Sequence, residues 1–234
     1  MSGDPERIAD GVYRVNAVPI ANLINVLLLE DDDGWTLVDT GIGRSVGRVK
    51  KALEALGAGP EDLKRIFLTH QHDDHTGGLK ELVEWAPNAK VSATEHEAEV
   101  ISGKRGFDPS SNHIMRYLAG GAEPPGIPVG EVVEEGDFVS GFRVISTPGH
   151  TPGHVSLLRD EDGLLLTVDA FGCLPRKLRV GVRKAFCTDP AEAKCSAVKL
   201  LKEGFSTVVL AHGKPLRTGV RESLQAAIAR CDYT

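Results

Sequence analysis

Residues 68–78 read Leu68-Thr69-His70-Gln71-His72-Asp73-Asp74-His75-Thr76-Gly77-Gly78, and positions 70–75 hold three histidines and two aspartates. Polar side chains inside a fold cost free energy unless something satisfies them. The stretch is therefore either a solvated loop or part of a metal site. The run Arg65-Ile66-Phe67-Leu68 before it reads as a short buried strand, and Leu79 to Trp85 after it as a helix ending before Pro87. That places the stretch at a strand-to-helix turn, where a rigid scaffold positions side chains for chemistry.

The surrounding pattern sets the fold class. Gly11-Val12-Tyr13-Arg14-Val15 and Asn25-Val26-Leu27-Leu28-Leu29 read as strands, and Asp31-Asp32-Asp33-Gly34 is a hairpin turn leading into Trp35-Thr36-Leu37-Val38. Val46, Val49, Ala52, Leu53 and Leu56 recur at helical spacing. Strand patterns return at 131–133, 142–145, 155–158 and 164–168. Asp189-Pro190-Ala191-Glu192 then supplies a cap, a first-turn proline and a third-position glutamate for a helix reaching about 202–204. A strand at 207–210 and a helix over about 221–229 follow. Hairpin-linked strands imply antiparallel pairing and argue against a doubly wound parallel sheet. The expectation is α+β: a four-layer αββα sandwich of two sheets with outer helices. It forms one domain over 1–234, with a candidate lid at 102–128 where glycine, proline, serine and asparagine break the pattern.

Composition excludes several functions. A formal net charge of −6 argues against whole-protein attraction to nucleic acid or an anionic membrane. The polar start has no apolar segment after it, and no apolar run approaches the ~20 residues of a membrane span, so a cytoplasmic protein is expected. The four cysteines (Cys173, Cys187, Cys195 and Cys231) lack Cys-x-x-Cys spacing, so they read as reduced thiols.

Beyond the opening stretch, His150 follows the strand pattern at 142–145 through Thr147-Pro148-Gly149, His212 follows 207–210, and Asp169 ends 164–168. One strand-end histidine is more often solvated than ligating; five, with Asp74 and Asp169, reverse that balance. Imidazole and carboxylate suit divalent metals such as zinc, and His-x-His lets two rings face one ion. Asp169 offers two oxygens able to bridge, so the ligand set closes at two ions.

This constellation resembles the metallo-β-lactamase superfamily over essentially the whole chain. The His-x-His-x-Asp-His signature stands as His70, His72, Asp74 and His75, followed by Gly77-Gly78. His150 lies in Thr147-Pro148-Gly149-His150-Thr151-Pro152-Gly153-His154, and Asp39 in Val38-Asp39-Thr40-Gly41. The resemblance implies that His70, His72 and His150 hold one ion, Asp74, His75 and His212 the other, and Asp169 both. It makes Asp39 a support for a ligand histidine. His154 is read as a nearby hydrogen-bonding group. One position departs from the family: Val168 stands where glycine usually precedes the bridging aspartate.

The implied chemistry is a dinuclear hydrolase with two divalent ions, zinc first and iron or manganese as alternatives. Two such ions about 3.5–4 Å apart generate a bridging hydroxide near neutral pH, and the expected target is an acyl bond of a thioester, lactone or ester. Asp74 is a ligand that could also pass a proton to the leaving group. Arg176, Lys177, Arg179, Arg183 and Lys184 put five basic residues into nine positions. Arg176, Arg179 and Arg183, with His113 from the candidate lid, are candidate contacts for an anionic substrate. A small-molecule substrate is expected, with no nucleic-acid or membrane partner; oligomeric state is open, a homodimer included. The alternatives are a mononuclear-iron oxygenase of the same fold, resembling persulfide dioxygenases, and β-lactamase or phosphodiesterase activity.

Overall fold

The computed structural model describes residues 4–114, 123–174 and 177–232. Among them, contacts divide the chain into two compact units, one drawn from Met1–Gly106 and Pro124–Val133, the other from Phe107–Glu123 and Glu134–Thr234.

The first unit is built on a seven-stranded sheet whose strands lie in sequence order: β1 (Glu6–Ala9), β2 (Val12–Asn16), β3 (Asn25–Asp31), β4 (Gly34–Val38), β5 (Leu63–Phe67), β6 (Lys90–Thr94) and β7 (Glu131–Val133). The first four pair antiparallel, as the hairpin signal at 31–34 predicts. From β4 onward pairing is parallel, because helices rather than tight turns connect those strands. Helix α1 (Val46–Ala55) buries Val46, Val49, Ala52 and Leu53, the residues with helical spacing. They join Val15, Leu28, Leu37, Ile66 and Leu82 in one apolar cluster. A four-residue helical turn, α2 (Asp73–Thr76), leads to α3 (Leu79–Trp85), and α4 (Glu95–Ile101) follows β6.

The second unit carries a five-stranded sheet of β8 (Phe138–Val139), β9 (Phe142–Ser146), β10 (Val155–Arg159), β11 (Leu164–Val168) and β14 (Thr207–Leu210), in the order β14-β11-β10-β9-β8. β14 joins it parallel to β11. Helix α5 (Pro190–Leu200) begins as the sequence predicts, with Pro190 in its first turn and Asp189 Oδ1 accepting a hydrogen bond from the Glu192 N–H at 3.0 Å. It ends at Leu200, shorter than expected. Helix α6 (Val220–Ala229) closes the fold. The basic stretch after Asp169 is not all loop. Phe171–Cys173 (β12) and Leu178–Val180 (β13) form an antiparallel ribbon there. Strands of three residues are too short to show alternation. Residues 115–122 of the candidate lid at 102–128 lie outside the described residues.

Two sheets with helices fit the α+β class read from sequence. Among the described residues, no helix is long and apolar enough to cross a membrane.

Two glycines separate tolerant from intolerant positions. Gly149 has φ +117°, and a Cβ there would sit 2.0 Å from the Ala193 backbone nitrogen. Gly47, exposed inside α1, would meet nothing within 4 Å. Gly47→Ala is expected to gain about 0.5–1 kcal/mol, whereas Gly149→Ala should lose at least about 2 kcal/mol through clash and backbone strain. Paired urea-denaturation curves check both signs.

Candidate metal centre

In the first unit the site grows from Asp39. It leaves β4 with φ +61°, a left-handed conformation that aspartate tolerates better than most residues. Its own N–H donates to the Phe67 carbonyl at 2.9 Å, tying it to the end of β5. The buried carboxylate then accepts from the Thr69 N–H at 2.9 Å, from the Thr69 hydroxyl at 2.8 Å and from His75 Nδ1 at 2.7 Å. Thr40 adds a second grip: its N–H and its hydroxyl each donate to the His75 carbonyl at 2.7 Å, and the Gly78 N–H donates to Thr40 Oγ1. A Cβ at Gly78 would lie 2.8 Å from the Thr40 carbonyl oxygen, so glycine is needed for this close approach.

These bonds set the imidazole tautomers. Asp39 accepts only, so His75 carries its proton on Nδ1 and presents the lone pair of Nε2. That Nε2 lies 3.9 Å from Asp74 Oδ2. The Thr69 hydroxyl spends its proton on Asp39, so it accepts from His70 Nδ1 at 3.1 Å and turns His70 Nε2 outward. There Nε2 stands 3.1 Å from His72 Nδ1. His70 and His75 are buried, and their ring centroids are 4.0 Å apart. Asp73 is exposed while Asp74 is half-buried.

In the second unit Asp169 occupies the matching position. Its Oδ2 lies 3.2 Å from His150 Nε2 and 3.4 Å from His212 Nε2, all three residues being buried. Asp169 follows Val168, whose φ is +48°, at a register shift between β11 and β14. A β-branched residue in the left-handed region is strained by roughly 1–2 kcal/mol. That explains why glycine would be at home there and shows what valine does instead. It takes the glycine conformation at a cost, and the conformation is held by His154. This fully buried ring accepts from the Asp169 N–H at Nε2 (3.2 Å), while its Nδ1 lies 3.1 Å from the Thr147 carbonyl and 2.8 Å from the Thr147 hydroxyl. A carbonyl only accepts, so the proton sits on Nδ1 and the Nε2 lone pair is kept for Asp169.

Cys187 is one residue that sequence reasoning missed. Its Sγ lies 3.9 Å from His150 Nδ1, and the carbonyls of Gly181 and Arg183 sit 3.6 Å from the sulfur. Burial, with Asp169's charge adding to it, pushes this thiol up to about 12. It is a neutral polar contact behind His150, and nothing in its sequence context marks it. Thr69 and Thr147 were also missed, although each lies within three residues of a predicted ligand.

The donor set fits divalent ions. In a tetrahedral site with metal–nitrogen distances near 2.0–2.1 Å, neighbouring donor atoms stand about 3.3 Å apart. The separations of 3.1, 3.2 and 3.4 Å within the two units match that spacing. All seven residues expected as ligands (His70, His72, Asp74, His75, His150, Asp169 and His212) belong to His/Asp groups that could hold a metal ion. Of the candidate substrate contacts, Arg179 and Arg183 line a cleft in the second unit, His113 is exposed, and Arg176 lies outside the described residues.

Comparison with known proteins agrees with this geometry. The family model described as metallo-beta-lactamase superfamily matches residues 20–212. The protein YobT of Bacillus subtilis (strain 168) is 30% identical, over 92% of this chain and 95% of its own. An N-acyl homoserine lactonase of a Bacillus sp. is 29% identical, over 75% of this chain and 74% of its own. Among solved structures, a metallo-beta-lactamase family protein from Thermus thermophilus superposes with TM-score 0.70 at 25% identity, covering 95% of this chain and 80% of that one. MIM-2 metallo-beta-lactamase gives 0.72 at 22%, covering 98% and 89%.

Two outcomes follow from the local geometry. Because only glycine is unstrained at Val168's φ, Val168→Gly should be about 1 kcal/mol more stable than Val168→Ala, reversing the usual order of glycine and alanine in a strand; thermal melts of the two variants decide it. Thiol labelling of the native protein at pH 8 should modify exposed Cys195 and spare Cys187 until denaturant is added.

Proposed function

Because the chain belongs to the metallo-β-lactamase superfamily, we propose that it is a metal-dependent hydrolase of acyl bonds acting on a small lactone, thioester or ester. The single observation that carries this reading is the donor spacing: imidazole nitrogens and a carboxylate oxygen at tetrahedral-site separations, with His70 and His75 each presenting Nε2. The seven residues are proposed to hold two divalent ions, zinc first, since imidazole and carboxylate suit that ion. When bound, the ions would supply Lewis acidity toward an acyl carbonyl and lower the pKa of a water.

The chain's own residues supply the rest. Asp39 holds the His75 ring and, through Thr69, the His70 ring, so neither has to reorient when substrate arrives. His154 fixes the backbone of Asp169. Asp74, half-buried at the start of α2, is the proposed ligand that also carries a proton to the leaving group. Arg179, Arg183 and His113, with Arg176, are proposed contacts for an anionic group on the substrate. A lactone is the first class to try, since one relative carries the name N-acyl homoserine lactonase. A cytoplasmic location remains part of this proposal.

A turnover screen over lactones, thioesters, esters, phosphodiesters and a β-lactam tests the reading. The expected result is hydrolysis of at least one acyl substrate, abolished by chelator, restored by zinc, and lowered at least about a hundredfold in kcat by Asp74→Ala. Oxygen consumption without hydrolysis would instead favour the iron-oxygenase alternative. Turnover unaffected by chelator and by Asp74→Ala would refute the proposal.

A further inference from the structure

The second unit carries a basic cleft that extends beyond the two arginines, Arg179 and Arg183, proposed as substrate contacts. A cleft of about 370 Å³ opens beside β13 and the end of α6. Lys177, Arg179, Arg183, Lys184 and Arg230 line it against a single carboxylate, Asp232, a formal excess of four positive charges. The chain as a whole carries −6, so this is a local concentration of charge and not the average surface.

The cations also come from separate parts of the chain. Lys177 and Arg179 belong to the β13 segment, Arg183 and Lys184 to the turn after it, and Arg230 to the end of α6. A basic loop kept only for solvation would let its charges spread into water, because like charges brought together repel. Here folding draws Arg230 up to the others, and its Nη2 lies 3.5 Å from the Leu178 carbonyl. Arg179 is anchored likewise, its Nη1 donating to the Leu174 carbonyl at 2.5 Å. Among the described residues, neither Lys177 nor Arg183 has a carboxylate partner, and both are exposed. Leu178, Val180 and Ala227 give the cleft apolar surface beneath the charged side chains.

We propose that this cleft binds a small organic polyanion carrying two or more phosphate or carboxylate groups. One carboxylate would offset only a quarter of the formal charge excess. A diphosphate or tricarboxylate comes close to matching it, and the guanidinium groups offer the paired donors that both chemistries accept. The apolar surface suits the organic part of such a ligand. Arg179 and Arg183 are also the proposed substrate contacts, but occupancy of the cleft is measured by binding, so its test does not depend on turnover.

Isothermal titration calorimetry with the purified full chain tests it, using pyrophosphate and citrate as probes at about 0.15 M salt. The expected result is saturable binding of one probe per chain, weakened at least about tenfold in the Arg183→Ser, Arg230→Ser double variant. Both side chains are exposed, so circular dichroism should report an intact fold. Tighter pyrophosphate assigns the site to phosphate-bearing ligands, and tighter citrate to polycarboxylates. Arg143→Ser removes an arginine that is paired with Asp160 and Glu203, and it should leave binding unchanged. Absence of saturable binding, equal weakening by Arg143→Ser, or loss in His212→Ala with full retention in the double variant would each overturn the proposal. Failure of the turnover screen would leave this result standing, and the reverse also holds.

Discussion

The buried carboxylate of Asp39 is the constraint on which the histidine-rich turn depends. It accepts from the Thr69 N–H, the Thr69 hydroxyl and His75 Nδ1 at once. Hydrogen bonds to a charged group are worth about 1.5–3 kcal/mol each, and leaving such a group unpaired inside a protein costs more than any one of them returns. The turn from β5 into α2 is therefore held in one geometry by the charge it encloses. A polar cluster that would be a liability as a loop becomes an ordered set of lone pairs. The tautomers of His70 and His75 follow from the same carboxylate, because an acceptor at Nδ1 leaves Nε2 as the only basic nitrogen.

The second unit solves the same problem by a different route. Asp169 is fixed through its backbone, by a neutral histidine that donates on one side and accepts on the other. The valine before it sits in a conformation glycine would take without strain. Strained backbone persists where surrounding structure over-determines it, and His154 with the β11–β14 register shift supplies that determination. The two units thus place carboxylate and imidazole donors at similar separations by unrelated local means.

Much of this was legible in the sequence, for identifiable reasons. Strand-end histidines stand out because an apolar run of strand length precedes each of them. The helix at Asp189 was legible because capping is a local interaction whose donors and acceptors lie three residues apart. The order His70, His72, Asp74, His75, His150, Asp169, His212 marked the family before any geometry was known. What was not legible depends on distance in space. The β12–β13 ribbon is too short to show periodicity, so its residues read as a basic loop. Cys187 meets His150 across 37 residues, and Arg230 joins the basic cleft from more than 40 residues beyond Lys184. Val168 was visible as a departure from the family, but its meaning lay in a backbone angle.

The central claim is the proposal that these side chains hold two ions, and the most direct measurement is the metal content of the purified protein by inductively coupled plasma mass spectrometry after exhaustive dialysis. The account predicts about two divalent ions per chain, falling to one or fewer in Asp169→Ala. Less than one ion per chain in the wild-type protein, after growth with zinc, iron and manganese supplied, would contradict it.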